Sequence, residues 1–102
     1  MLQLRPNCEH CNRDLPADSE EARICSYECT FCADCVDSIL NNVCPNCGGG
    51  FVPRPIRPRT AWREGTSLIH QPPSEKSVLK PVDLDAHKEF RRSIENIPPA
   101  KR

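Results

Sequence analysis

The stretches CEHC (residues 8–11), CSYECTFCADC (25–35) and CPNC (44–47) contain all eight cysteines of this 102-residue chain. Two cysteines separated by two or three residues can point both sulfurs at one ion, and structural zinc sites are closed by four such ligands. Eight thiols divide evenly into two closed sites, which leaves no open position for a reactive water. The spacing therefore predicts two structural zinc ions. We assign no catalytic residue and do not expect an enzyme.

Two divisions of the eight ligands are compatible with this spacing. In a sequential arrangement, the first four cysteines bind one ion and the last four bind the other. In an interleaved arrangement, one ion is bound by Cys8, Cys11, Cys32 and Cys35, and the other by Cys25, Cys29, Cys44 and Cys47. The interleaved form ties the two loops to each other, so that each ion restrains most of the module. Spacing alone leaves both divisions open.

Composition and targeting signals favour metal binding over disulfide bonds. Aromatic residues make up only 5% of the chain, which predicts a small core. A domain of about 50 residues with a small core usually needs disulfide bonds or a structural metal ion to be stable. No apolar stretch of a signal peptide follows Met1, and no stretch approaches the roughly 20 apolar residues of a membrane span. We therefore expect a cytoplasmic protein without membrane contact, where thiols stay reduced and bind metal. The alternative is a four-disulfide scaffold.

The net charge of zero hides a split between the two halves. Residues 1–50 hold three basic and eight acidic residues, whereas residues 51–102 hold eleven basic and six acidic residues. Phosphate binding needs concentrated Lys and Arg, so any nucleic-acid contact must come from the second half. Nucleic-acid binding through residues 54–63 is one alternative function, because a base could stack on the tryptophan among Arg54, Arg57, Arg59, Trp62 and Arg63. The same segment could instead lie along the acidic module.

We divide the chain into a metal module (residues 1–52), a Pro/Arg-rich linker (53–82), an amphipathic helix (83–97) and a tail (98–102). Within the module, we expect a hairpin over residues 24–31 and a helix over 32–42 that Asn41 and Asn42 end.

In the C-terminal helix, Asp83 is the expected N-cap. The apolar face at helical spacing consists of Leu84, His87, Phe90, Ile94 and Ile97. A helix of this length is marginal alone in water, so we expect it to dock on the module or on another chain. The candidate partner surface combines three of its residues, Leu84, Phe90 and Ile94, with the arginines and the tryptophan of residues 54–63.

The run from Cys29 to Cys47 resembles the second half of a RING finger. Phe31 precedes the fifth ligand of that family, Val36 follows the sixth, and Pro45 lies inside the last pair. RING fingers bind two zinc ions in a cross-brace, so the resemblance implies the interleaved ligand set. It also implies a small zinc-stabilised α+β fold of the RING-like or treble-clef type.

A second alternative function follows from this resemblance, because ligase RING fingers recruit a ubiquitin-conjugating enzyme without covalent chemistry of their own. Two departures weaken the expected docking surface. Glu9 stands where ligase RING fingers usually carry an aliphatic residue, and Gly48 follows the last ligand in place of a basic residue.

The first half is also similar to a family of small, cysteine-rich bacterial proteins of unknown function. The matching stretches are LRPNCE (4–9), RICS (23–26), FCADC (31–35) and CPNCGG (44–49). This likeness is the closer of the two and implies no activity. The function we expect is therefore a non-enzymatic zinc-binding module for protein–protein interaction. The sequence leaves its biological role, its partner and its oligomeric state open.

Overall fold

A short β-hairpin lies at the centre of the structure, a computed structural model that describes residues 1–102. Strand β1 (Ala22–Ile24) pairs antiparallel with strand β2 (Thr30–Cys32). The turn between the strands carries Cys25 and Cys29, and the Cys25 N–H donates to the Cys29 carbonyl oxygen at 3.2 Å. The predicted hairpin is therefore confirmed, with both cysteines in its turn.

A third strand that the sequence analysis missed completes the sheet. Strand β3 (Val52–Pro53) pairs antiparallel with β1, so the strand order is β2-β1-β3. Proline has no N–H to donate, which argues against a strand except at the edge of a sheet, where β3 lies. The expected boundary after residue 52 falls inside this strand, and the Arg54 N–H still donates to the Ala22 carbonyl oxygen at 3.0 Å.

The helix that follows β2 is short and changes its hydrogen-bond pattern. Helix α1 (Ala33–Cys35) continues into a π-helical segment (Val36–Leu40). Asn41 ends it in the left-handed region at φ 49°, and Asn42 follows at φ 57°. Asparagine tolerates this region better than most residues, which explains why the helix ends where the sequence predicted.

Cysteine side chains make up about half of the buried core. One cluster of eleven buried residues includes a single aromatic ring, Phe31, which meets Phe51 edge-on with ring centroids 5.5 Å apart. The cluster consists of Cys8, Leu15, Ala22, Cys25, Cys29, Phe31, Cys32, Cys35, Val36, Leu40 and Cys44. The apolar interior is therefore as small as the low aromatic content predicted.

The segment predicted as a linker has no helix, and its only strand residue is Pro53. Its C-terminal part is nevertheless fixed along the first cysteine pair. The Lys80 N–H donates to the Glu9 carbonyl oxygen at 2.8 Å, and the Val82 N–H donates to His10 Nδ1 at 2.9 Å. A side-chain amide adds a third contact, from Asn7 Nδ2 to the Val78 carbonyl oxygen at 2.9 Å.

Helix α2 (Leu84–Arg91) begins where the sequence predicted, and the Asp83 carboxylate accepts a hydrogen bond from the Ala86 N–H at 3.1 Å. It ends at Arg91 and not at residue 97. The N–H groups of Ile94 and Ile97 donate to carbonyl oxygens three residues earlier, a tighter pattern than that of an α-helix. A short 3₁₀ turn (Pro99–Lys101) follows.

Helix α2 docks on the cysteine module, one of the two alternatives that the sequence left open. The Arg91 guanidinium donates to the Ile39 carbonyl oxygen at 2.7 Å, and Phe90 and Ile94 lie over Gly48. The centre of the docked face is His87, which is buried, whereas Leu84 is 53% exposed. The predicted face therefore docks through His87 and Ile94, whereas Leu84, Phe90 and Ile97 are 53, 44 and 37% exposed.

None of the helices has the length and apolar character required to cross a membrane.

The buried arginine of the extension generates a stability prediction. The Arg54 side chain donates to the carbonyl oxygens of Arg5 and Leu15 and to that of Pro16, at 2.7, 3.2 and 2.8 Å. Arg54→Ala leaves these acceptors without their charged donor, and we expect the free energy of unfolding to fall by about 3 kcal/mol. Guanidinium unfolding of the metal-loaded protein measures this change.

The matched control is Arg59→Ala. The Arg59 side chain is exposed, and its nitrogen lies 3.7 Å from an Asp18 oxygen. An exposed pair of this kind contributes about 0–1 kcal/mol, so the control should unfold almost like the unmodified chain. If Arg54→Ala lowers the free energy of unfolding as little as this control does, the buried guanidinium is not important for stability.

Candidate metal centres

Four sulfurs meet in the first cluster. The Sγ atoms of Cys8, Cys11, Cys32 and Cys35 all lie within 4.8 Å of one another. The distance between Cys11 Sγ and Cys32 Sγ is 3.7 Å. A tetrahedral zinc site with Zn–S bonds of about 2.3 Å requires neighbouring sulfurs about 3.8 Å apart. The sulfur geometry of this cluster therefore fits a tetrahedral metal ion.

Three sulfurs meet in the second cluster. The Sγ atoms of Cys25, Cys44 and Cys47 lie within 4.8 Å of one another. Cys29 does not meet this limit for all three, and its Sγ accepts a hydrogen bond from Asn46 Nδ2 at 3.4 Å. Burial raises the pKa of the Cys29 thiol and the neighbouring Cys25 adds to this, against the lowering effect of the Asn46 hydrogen bond. Cys29 therefore lies beside Cys25, although it falls outside the group of three.

The two clusters group the cysteine pairs as the interleaved division does. The pair at residues 8 and 11 meets the pair at 32 and 35, and Cys25 meets the pair at 44 and 47. The hairpin separates the clusters, because Cys25 lies in its turn while Cys32 ends β2 and Cys35 lies in α1. The role of each of the eight cysteines as a metal ligand stays a prediction.

Burial makes ionisation unfavourable for some thiols of both clusters, although at Cys8 backbone hydrogen bonds outweigh burial and lower the pKa. Burial raises the pKa of Cys35, and the neighbouring Cys32 and Cys8 raise it further. Burial also raises the pKa of Cys44. Four thiolates cannot share such a site without a compensating positive charge, which a divalent metal ion supplies.

Backbone N–H groups donate to two sulfurs of the second cluster. The Tyr27 N–H donates to Cys25 Sγ at 3.4 Å, and the Gly49 N–H donates to Cys47 Sγ at 3.4 Å. Donors of this kind orient a ligand and stabilise its negative charge. One cysteine of each cluster, Cys11 in the first and Cys47 in the second, is exposed, and the other six are buried.

The arginines of the candidate partner surface do not act as one surface. Arg54 is 4% exposed, and its Nη1 and Nη2 donate to backbone carbonyl oxygens, whereas its buried Nε has no partner. Arg57 is half-buried and donates to the carbonyl oxygens of Leu2 and Gln71 at 2.7 and 2.6 Å. The prediction that Arg54 forms part of a partner surface was therefore wrong. Arg57 is available to a partner only in part, because it is half-buried. The physical reason is that irregular, proline-rich backbone leaves carbonyl oxygens that guanidinium groups satisfy.

The other residues of that surface are more accessible. Arg59, Trp62 and Arg63 are exposed on one loop. Leu84 and Phe90 on helix α2 are also exposed, whereas Ile94 is half-buried.

The residue that departs from the ligase RING pattern lies inside the protein. Glu9 is buried, and its carboxylate accepts hydrogen bonds from the Thr30 N–H and from Arg5 Nη1, the latter at 2.8 Å. Because its partner Thr30 is distant in sequence, no local pattern could have identified this contact.

A serine–histidine contact in the extension has a structural role. Ser67 Oγ lies 2.8 Å from His70 Nδ1, but Ser67 is buried and its oxygen also accepts a hydrogen bond from the Ile69 N–H at 3.2 Å. These contacts close one local turn, as serine hydroxyls often do.

Comparisons with known proteins agree with the predicted resemblance to a family of proteins of unknown function. The model of the family DUF1272, described as a protein of unknown function, matches residues 1–57. An uncharacterized protein of Rhizobium meliloti (strain 1021) is 54% identical over 81 residues, which cover 79% of this chain and 89% of that protein. No solved structure matches the chain. The chain belongs to the DUF1272 family, and the likeness to a family of unknown function is confirmed.

The position of Cys29 beside the second cluster generates a test of the ligand set. If each cluster binds one ion, native mass spectrometry of the full chain will detect two metal ions. Cys29→Ser should lower this number by about one, because a site that lacks one thiolate loses most of its affinity.

Ser26→Ala is the matched control, because Ser26 lies in the same turn, is exposed and has no sulfur. It should retain the full metal content. If Cys29→Ser also retains two ions, Cys29 is not a ligand and the second site is closed by another group.

Proposed function

We propose that this protein is a non-enzymatic, cytoplasmic zinc-binding module for protein–protein interaction. In this proposal, one zinc ion is bound by Cys8, Cys11, Cys32 and Cys35, and the other by Cys25, Cys29, Cys44 and Cys47, in a RING-like or treble-clef cross-brace. The single observation that supports it most is the first cluster, where four sulfurs lie within 4.8 Å of one another and two of them are 3.7 Å apart.

The chemistry of the donors favours zinc and a structural role. Thiolates are the preferred ligands of structural zinc, and four of them leave no coordination position for water or substrate. Structural zinc contributes on the order of 10–16 kcal/mol to the folding of finger peptides at neutral pH. A contribution of that size would make a core of eleven residues sufficient, whereas the apolar side chains alone are few.

Two strongly exposed apolar side chains support the interaction role. Trp62 is 81% exposed and Ile69 is 82% exposed. The loop that carries them is held by Ser67 and by Gln71, whose Nε2 donates to the Gly65 carbonyl oxygen at 2.8 Å. Tryptophan and arginine dominate the energetic centres of protein interfaces, and Arg63 is adjacent to Trp62.

Neither alternative function is favoured by a specific observation. Nucleic-acid binding through residues 54–63 would use four arginines, of which Arg54 and Arg57 are already bonded to backbone carbonyl oxygens. Recruitment of a ubiquitin-conjugating enzyme would use the face between the first and last cysteine pairs. The chain's own residues Lys80 and Val82 are hydrogen-bonded along the first of these pairs.

The raised thiol pKa values generate a pH prediction. In the metal-free protein, burial keeps the thiols of Cys35 and Cys44 protonated, so zinc must displace protons when it binds. The zinc affinity should therefore rise as the pH increases, by more than tenfold per pH unit wherever more than one proton is released.

Competition with a chromophoric chelator between pH 6 and 8, corrected for the chelator's own protonation, measures this slope. Zinc should be lost, and with it the fold, as the pH falls. An affinity that does not change with pH would mean that the ligands are already ionised, in contradiction to the buried thiol clusters.

Affinity capture from the native host tests the interaction role. The bait is the full zinc-loaded chain, and the two comparison baits are Trp62→Ala and Cys32→Ser. A genuine partner should be captured by the unmodified chain, lost with Cys32→Ser because the module unfolds, and reduced roughly tenfold or more with Trp62→Ala.

Tyr27→Ala is the control for Trp62→Ala, because Tyr27 is also an exposed aromatic residue but lies in the hairpin turn. It should retain the partner. Equal capture by all baits, including the unfolded one, would contradict a folded interaction surface at the loop of Trp62.

A further inference from the structure

A cleft of about 360 Å³ opens between the first cysteine pair, the last cysteine pair and helix α2. Its apolar wall includes Phe31, Val82 and Phe90, and its polar wall includes Glu9 and His87. This volume lies at the lower end of the range of small-molecule sites, which are typically apolar with a few polar groups that fix orientation. Neither the metal clusters nor the loop of Trp62 uses this cleft.

His87 in the wall of the cleft has an unsatisfied nitrogen. The residue is 4% exposed, and its Nε2 lies 2.8 Å from the Val43 carbonyl oxygen. A carbonyl oxygen only accepts, so Nε2 carries the proton, and Nδ1 of the neutral ring is a free acceptor. Nδ1 is buried and has no hydrogen-bond partner. A buried acceptor without a protein donor is unfavourable, and a water or a ligand with an N–H or O–H group would satisfy it.

The charges around the cleft balance. The Glu9 carboxylate is paired with Arg5 at 2.8 Å, and the rim carries one ammonium group, on Lys80, and one carboxylate, on Asp83. Neither a strongly anionic nor a strongly cationic ligand is therefore favoured. The Phe90 ring of the apolar wall lies near the His87 imidazole, with ring centroids 6.4 Å apart.

We propose that this cleft binds an uncharged aromatic heterocycle with one N–H donor, the chemistry shared by free indole and a tryptophan side chain. The N–H group would donate to His87 Nδ1, and the ring would lie against Phe90 and Val82. Because Nδ1 is buried, the side chains that cover it must move to admit the donor. The site is additional to the proposed interaction surface and does not depend on it.

The experiment is an NMR titration of the zinc-loaded full chain with indole and, separately, with benzofuran. Benzofuran has the same bicyclic shape with an oxygen in place of the N–H group. We expect indole to cause saturable shifts at Val82, His87 and Phe90 with a dissociation constant on the order of 1 mM. The Nδ1 resonance of His87 should move with them, and benzofuran should bind roughly threefold to tenfold more weakly.

A third titration, with N-acetyltryptophanamide, distinguishes the two sources of this chemistry. If it binds as well as indole does, the site accepts a tryptophan side chain of a partner. If indole binds and N-acetyltryptophanamide does not, the site takes a free heterocycle. Either result supports the proposal.

Two variants of helix α2 test the location. Ala86 is exposed and lines the cleft, whereas Lys88 is exposed on the same helix and does not line it. Leucine is a good helix former at both positions, so Ala86→Leu and Lys88→Leu should both fold. We expect Ala86→Leu to abolish the shifts and Lys88→Leu to leave the affinity unchanged.

Three outcomes would overturn the proposal. These are equal affinities for indole and benzofuran, unchanged binding in Ala86→Leu, and the absence of saturable shifts up to about ten times the expected dissociation constant. The last result would mean that His87 Nδ1 is simply left unpaired or bound by water.

Discussion

The convergence of cysteine pairs that are distant in sequence is the constraint on which the rest of the structure depends. The first cluster joins the turn at residues 8–11 to the end of β2 and the end of α1. The second joins the hairpin turn to residues 44 and 47. Each cluster closes a long loop, which costs conformational entropy that the small apolar core is poorly able to offset. Bonds from these sulfurs to a metal ion would supply the compensation.

Backbone carbonyl oxygens are the second constraint, because eleven prolines and few regular elements leave many of them without a backbone donor. The basic second half supplies these donors. Arg54 reaches the N-terminal residues, His87 reaches Val43, and Arg91 reaches the end of the π-helical segment. The split of charge between the halves is therefore partly a structural feature, since several of the basic residues hold the extension against the module.

The features that the sequence predicted correctly have local signals. Two closely spaced cysteines lie in the hairpin turn, Asp83 begins helix α2, and Asn41 ends the first helix. Each of these signals lies within a few residues of the structure it determines. The features that it missed depend on contacts across the chain. Arg54 and the carbonyl oxygens it binds are 38 to 49 residues apart, and Glu9 and Thr30 are 21 apart. The site was predictable as two groups of cysteines. Spacing could not choose the grouping, because both divisions use the same local pairs.

The contacts of Arg102 have a consequence for the order of assembly. Its guanidinium donates to the carbonyl oxygens of Asn42 and Gly48, on either side of the last cysteine pair. Chains fold from the N-terminus as the ribosome releases them, and all eight cysteines are synthesised well before this arginine. Nascent polypeptide could therefore acquire its ions while the backbone around Cys44 and Cys47 is still hydrated. Because Arg102 is synthesised later, metal binding would precede the contacts that cover the backbone around Cys44 and Cys47.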